Sequence, residues 1–563
     1  VERCGAQAIN VRGGKSATRG DVPFVRVLIH QNKAWKTMQN TNDFGGIESW
    51  QHGPVYIFNN LSFDARGQQE AQRAFEKAGK PGFGHAYYLD GAFKHYVFNN
   101  IAWGLSNDPK SPLANCAAFQ EIISYQNTFF NNTAYNYTVG SRRQAPHAGR
   151  NKYLGNVWQD ISERVFRHAD PAKTAADSNA ADAGSQRSQF AYETNAYARN
   201  VFFNVAELGV YEASGRWLKG LDDFRAALQS HQSMVSELGV MDAVPTLRDP
   251  SAGDFRLNPK SAAVDRGAVA FVPWALKGVV AEWTFRPAGD DPTQIVDEHW
   301  YATDYTTERD DYYLRPTYPL TVVHASADDY IASPLENFAP GALGFDAAKN
   351  VYATISSEEL NRPFTARLAT RARHGQDAQP KEFTFAGEEL MSAEIHGGNF
   401  LIEVYFKAEG DGLLVGKHDA IGYALRLQDG RAVFGIAGEG GTKAALRSQA
   451  RLVDGRWHHL IGEADRDAQS LTLYVDGQRD AAGPGLGRVS LANAGDLYVG
   501  GRPDGSFLDG AIAFLRIAQG TLADAHTTIE ELHAWQFDGP ALRDMRGQRP
   551  VGQARDAGAI ESY

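Results

Sequence analysis

Short runs of alternating apolar and polar residues dominate the first half of the chain, and they come in copies. Gly45 to Phe63 reads GGIESWQHGPVYIFNNLSF, and His85 to Trp103 reads HAYYLDGAFKHYVFNNIAW. Aligning Asn59-Asn60 with Asn99-Asn100 sets an offset of 40 residues, and FQEIISYQNTFFNNTAY places Asn131-Asn132 another 32 residues on. KYLGNVW repeats the ending weakly at Asn156, YARNVFFN repeats it at Asn200, and AINVRGG with VRVLIHQNKAW forms an earlier copy. The period varies while the ends match, as in a solenoid whose loops differ in length. Each copy holds two or three short alternating segments, too short for a useful helix. This pattern predicts a parallel β-helix, because one coil cannot bury its apolar face alone and stacked coils share a core. Asparagine is depleted from strands, so its recurrence needs a reason. Asn tolerates the left-handed backbone of a sharp bend, and stacked Asn side chains can hydrogen-bond from coil to coil.

The pattern then changes. LDDFRAALQSHQSMVSEL (Leu221 to Leu238) has the spacing of an amphipathic helix, with Asp222 near its start. VVAEWTFRPAGDDPTQIVDEHWYATDYTTERDDYYLRP reads as an acidic, aromatic connector. Beyond Pro340, FLIEVYFKAEG, GYALRLQDGRAVFGIAG, DGRWHHLIGEADRDAQSLTLYVDGQ and GDLYVGGRPDGSFLDGAIAFLRIAQG are alternating strands separated by Gly and Asp turns. Such spacing predicts a β-sandwich. The expected organisation is an all-β chain: a β-helix over 1–270, a connector over 271–340, a sandwich over 341–538, and a tail over 539–563 that packs back on the β-helix.

Composition adjusts this picture modestly. A chain of 563 residues exceeds one core. Net charge is −11 with no long basic run, which argues against nucleic acid. No apolar run is long enough to span a membrane. The two cysteines, Cys4 and Cys116, fit no metal motif and read as two buried thiols. The chain opens on VERCGAQAINVRGG without Met, so an upstream fragment of the same precursor is expected to precede it.

The region to about Gly267 resembles the right-handed parallel β-helix proteins of the pectate-lyase superfamily, and DPSAGDFRLNPKSAAVDRG (Asp249 to Gly267) is similar to their closing segment. DGRWHHLIGEAD with LTLYVDGQ, and then LDGAIAFLRI, resembles a laminin-G-like, concanavalin-type jelly roll. The tail LRDMRGQRPVGQARDAGAIE resembles the terminal segment of many bacterial β-helix proteins. The first resemblance implies a secreted carbohydrate-active enzyme. The second implies a module that binds carbohydrate or protein, often with calcium, or serves as scaffold. A structural calcium is therefore admitted and no other cofactor is expected.

Strand alternation sorts the candidate chemistry. With Ile47 and Tyr87 inward, Glu48, Trp50, Tyr88 and Asp90 point outward, and Asn10 and Arg12 fall in the same columns one coil earlier. Glu48 and Asp90 lie one coil and two positions apart, which puts their Cα atoms about 8 Å apart. Paired carboxylates at such spacing suit general acid and base work on a glycosidic bond, with retention and inversion both open. Trp50 and Tyr88 offer apolar faces to sugar rings, and Arg12 can pair with an acidic substituent. Asp43, in NDFGG, is a turn former and a secondary catalytic candidate. Glu121 has inward parity, and a bulge would turn it outward. His85, Lys94 and His95 flank the Asp90 strand. SRRQAPHAGRNK reads as a basic loop whose Arg142 and Arg143 border the groove and attract sulfated or uronic glycans. His458 and His459 belong to a sandwich strand.

Three functions follow. The leading one is a glycoside hydrolase cleaving a complex polysaccharide through Glu48 and Asp90. The second is a polysaccharide lyase with Tyr88, His85 or Lys94 as base and Arg12 as neutralising cation. The third is a glycan-binding surface protein or adhesin without catalysis.

Overall fold

The computed structural model describes residues 1–12, 26–38, 41, 44–52, 54–65, 84–92, 94–104, 116–149, 151–168, 195–209, 218–230, 234–235, 237–288, 291–298, 318–335, 341–360, 364–368, 381–385, 395–418 and 420–562. The chain divides into two compact units. One is Val1–Ala270 with Pro540–Tyr563, and the other is Phe271–Gly539.

The first unit is a stack of parallel coils. Ile9–Arg12, Gly45–His52, His85–Ala92, Ala117–Tyr125 and Thr133–Gly149 are successive neighbours in one sheet. Val27–His30, Val55–Phe58, Tyr96–Phe98, Thr128–Phe130, Lys152–Leu154 and Ala196–Ala198 follow one another in a second. Ile47 lies opposite Tyr87, and Tyr87 opposite Phe119, all in parallel pairing. The two sequence offsets are thus the registers of adjacent coils. Ile47, Ile57, Tyr87, Val97, Phe119, Phe129 and Tyr153 fill the interior. Rings of adjacent coils also stack directly, Phe58 on Phe98 at 5.0 Å and Phe98 on Phe130 at 4.7 Å.

The two residues of each Asn pair do different work. The first takes the left-handed bend, with φ of 55° at Asn59, 52° at Asn99 and 49° at Asn131. The second builds a ladder. The Nδ2 of Asn32 donates to Oδ1 of Asn60, Asn60 to Asn100, and Asn100 to Asn132, each at 3.0 Å. Asn156 and Asn200 extend it. A second, shorter ladder runs through Asn127, Asn151 and Asn195, each accepting a backbone N–H from the coil before it. An amide at each rung meets donors and acceptors that a coil corner would otherwise leave buried and unpaired.

After the last coil the antiparallel pair Leu247–Asp249 and Asp254–Leu257 packs Leu247, Phe255 and Leu257 against Ile101, Val157 and Val201 of the stacked coils. Residues 540–562 belong to this unit. Arg555 pairs with the buried Glu561 of its own segment, and its Nη2 donates to Oδ1 of Asn99 at 3.0 Å. Asn99 Nδ2 donates in turn to the carbonyls of Pro540 and Arg543. The helix Leu221–Ser230 turns Phe224 into the core. Cys116 is buried, Cys4 half-buried, and both are free thiols.

The second unit is built from antiparallel strands. Phe400–Ala408 lies between Trp457–Asp465 and Gly510–Gln519. The stretch expected to be a connector corrects the sequence reading, because it carries strands of the same sheet. Val279–Ala288 pairs with Gly510–Gln519, Asp291–Asp297 pairs back onto Val279–Ala288, and Leu320–Val323 follows. Trp283, Phe285 and Ile295 alternate into the core of the unit, so hydrophobic burial draws this acidic segment into the sandwich. Among the described residues no helix is long and apolar enough to cross a membrane.

Candidate functional site

Register places one row of outward side chains across successive coils. Asn10, Glu48, Tyr88, Gln120 and Arg142 are Cα partners in turn, about 4.8 Å apart from coil to coil. Two residues on, Arg12, Trp50, Asp90 and Ile122 are likewise Cα partners in turn. Glu48 and Asp90 are therefore diagonal neighbours on adjacent coils, as are Trp50 and Tyr88.

This face differs from a solvated surface. Glu48 and Tyr88 are each 3% exposed and Gln120 1%, although all point away from the coil interior. Trp50, Asp90 and Arg142 are half-buried. Glu48 Oε2 accepts from the Gly45 N–H and from Gln7 Nε2, both at 3.2 Å. The absence of a side chain at Gly45 permits the close approach of Tyr88, since a Cβ there would lie 2.7 Å from Tyr88 Cβ.

His85 meets the Tyr88 ring edge-on with centroids 5.5 Å apart. Burial, and then the positive charge of Arg142, hold its pKa well below the ordinary histidine value. Its Nδ1 accepts the Ala117 N–H at 3.2 Å, which puts the proton of the neutral ring on Nε2. With Nδ1 accepting the Ala117 N–H, the ring is set up to donate from Nε2 rather than to take a proton.

Other candidates separate from the row. Glu121 keeps its inward parity and is fully buried, with Tyr153 Oη donating to it at 2.6 Å and Asn151 Nδ2 at 2.9 Å. It anchors the second Asn ladder from inside the coil, away from any substrate face. His95 is likewise internal, its Nε2 2.7 Å from Ser49 Oγ. Lys94 occupies a bend at φ 53°. Asp43 lies outside the described residues. Arg142 and Arg143 are corrected from a loop to a strand, Thr133–Gly149, in which Arg142 is the register partner of Gln120 and Arg143 that of Glu121. The alternation of TAYNYTVGS simply continues through them. Gln120 is the member of the row that sequence reasoning passes over, although the offset of 32 that aligns Glu121 also aligns Gln120 with Tyr88.

Among the described residues no three His, Cys, Asp or Glu side chains are grouped to hold a metal ion. His458 lies between Asp454 at 3.1 Å and Asp476 at 2.8 Å, and His459 Nε2 is 2.8 Å from Glu403 Oε1.

Residues 393–526 match the laminin-G family model described as the concanavalin A-like lectin/glucanases superfamily. Among solved structures, the binding domain of Paraclostridial Mosquitocidal Protein 1 aligns at 13% identity and TM-score 0.27, covering 49% of this chain and 56% of that one. The receptor binding domain of botulinum neurotoxin mosaic serotype C/D aligns at 8% identity and TM-score 0.29, covering 49% and 54%. The chain spans about half the length of these solved chains. At such TM-scores the likeness says nothing about function.

Proposed function

We propose that the chain recognises carbohydrate. The observation that supports this reading is the match of residues 393–526 to a superfamily of lectins and glucanases. A polysaccharide ligand implies a protein working outside the cell. The test is retardation of the full chain in native gels containing neutral or anionic polysaccharides. Retardation by at least one of them is expected, and equal mobility in every gel would overturn the reading.

A second reading, cleavage of the glycan on the β-helix face, is favoured by the row itself. Glu48, Tyr88, Gln120 and Arg142 stand in register, with a neutral His85 beside them that presents Nε2–H as a donor. In hydrolysis one carboxylic acid, Glu48 or Asp90, protonates the leaving oxygen as the glycosidic bond breaks, while the other carboxylate either takes a proton from the water that attacks the anomeric carbon (inversion) or attacks that carbon itself before water releases the sugar (retention). In elimination Arg142, in place of Arg12, neutralises the uronate carboxyl, and a base such as Tyr88 removes the proton on the carbon beside it. The C–O bond to the next sugar breaks as the double bond forms, and the departing oxygen is protonated by an acid of the row or by water. New reducing ends without absorbance from unsaturated uronates mark hydrolysis, and both signals together mark elimination. Unchanged polysaccharide overturns cleavage and leaves recognition standing.

A further inference from the structure

The strongest unassigned feature is a cluster of rings on the outer face of the second unit. In the strands Tyr352–Ile355 and Leu497–Val499, Ala353, Ile355, Leu497 and Val499 point into the core. Alternation sends Tyr352 and Tyr498 to the other face. The register pairs Thr354 with Tyr498, so the two tyrosines are diagonal neighbours, with centroids 6.0 Å apart. Phe507 adds a third ring 6.3 Å from Tyr352. It sits over Gly501, where a Cβ would come within 2.6 Å of the Phe507 ring. All three rings are half-buried.

Polar groups border the rings on one side. The Arg502 guanidinium lies 5.6 Å from the Tyr498 centroid and donates to the His418 carbonyl at 2.6 Å. Tyr498 Oη donates to Asp496 Oδ2 at 3.3 Å. Arg502 is also 3.4 Å from Asp504, so its charge is locally balanced.

We propose that Tyr352, Tyr498 and Phe507 form a stacking platform for an uncharged sugar ring of a polysaccharide. A pyranose has an apolar C–H face and a rim of hydroxyls, and this site sets Tyr352 at 53° to Tyr498 and 46° to Phe507 as a shallow aromatic cradle, with Arg502 over one face of Tyr498 and Asp496 at its hydroxyl. The balance of Arg502 by Asp504, with Asp496 close by, disfavours an anionic sugar. A protein partner would instead be expected to want a larger, drier apolar patch than three half-buried rings. The inference rests on carbohydrate recognition as the function and names the site and sugar class.

The experiment is affinity electrophoresis of the full chain in gels containing β-glucan, galactomannan, xylan, polygalacturonate or chondroitin sulfate. Retardation by at least one of the three neutral polymers is expected. Tyr498→Thr and Tyr352→Thr keep strand-compatible side chains and are expected to weaken it about tenfold each. Tyr498→Phe keeps the ring and should change it little. Circular dichroism and melting show whether each variant is folded, and Phe507→Leu serves as a third variant should one unfold. Neutral-polymer retardation that survives in the folded ring variants overturns the platform while recognition stands. Retardation by the anionic polymers alone overturns the sugar class proposed. A wild-type chain retarded by none of the five overturns recognition and the platform together.

Discussion

The repeated coils of the first unit and the sandwich of the second satisfy their buried polar groups differently. The β-helix spreads neutral amides over many equivalent positions, one Asn per coil, each bonded to the next. The sandwich also gathers charge, most densely around one carboxylate. Glu403, fully buried, bonds Arg516 Nε at 2.5 Å, His459 Nε2 at 2.8 Å and Gln536 Nε2 at 2.7 Å. Gln536 belongs to the helix Ile529–Asp538, and the same helix brings His533 to within 3.2 Å of His459. Burial works to raise the Glu403 pKa, and Arg516 and His459 overcome it and hold it at about 2. A repeated neutral device distributes risk among coils, whereas the ionic hub at Glu403 makes several strands and a helix depend on one carboxylate.

The largest effect should come from breaking that hub. Arg516→Met leaves Glu403 buried without its guanidinium and is expected to cost the second unit about 3–5 kcal/mol. Replacing both partners, as Glu403→Leu with Arg516→Met, should recover most of the loss. Denaturant unfolding of the single and double variants measures both. A single variant as stable as the parent would break the contrast.

Position within the ladder sets the next effect. Asn100 accepts from the backbone N–H and the Nδ2 of Asn60 and donates to Asn132 and to the Ile57 carbonyl. Asn100→Leu strands several buried groups, and a loss of about 2–4 kcal/mol is expected. Asn32 ends the ladder and is half-buried, so Asn32→Leu should cost about 1 kcal/mol or less. Equal losses would mean that the rungs are not graded by burial.

The smallest effect is a pH dependence at the sandwich histidines, separate from the acid-side cost of the buried His85 in the first unit. Burial, then the nearby His459, lowers the His533 pKa to about 4, against the pull of Asp476 and Glu403. The unfolded chain binds that proton more readily, so stability should fall as pH drops from about 6.5 towards 4. His458 acts oppositely. Its hydrogen bond to Asp476 raises its pKa, so its contribution is complete below about 6.5 and is lost as pH rises through the raised value. His533→Leu should flatten the acid side of the melting-temperature profile, and an unchanged slope there would refute the assignment.

Much of the first unit was legible because repetition makes register visible. Once Asn59-Asn60 and Asn99-Asn100 were aligned, the partners of Glu48, Trp50, Tyr88 and Asp90 followed. The sandwich was legible from its alternating strands after Pro340, but its first strands were not. Trp283 and Phe285 sit among acidic residues, and only their long-range pairing with Gly510–Gln519 identifies them as core. Arg142 was misplaced for a similar reason: basic residues suggested a loop, while pairing with Ala117–Tyr125 made them a strand.

By itself the sequence determined the all-β class, the coil register and the Asn corners, because side-chain period and repeat offset are local quantities. Tertiary structure alone decided which outward residues lost their water, that burial and Arg142 hold the His85 pKa down, and that Tyr352, Tyr498 and Phe507 meet. Burial, charge proximity and ring contact arise between residues distant in sequence, and no local pattern encodes them.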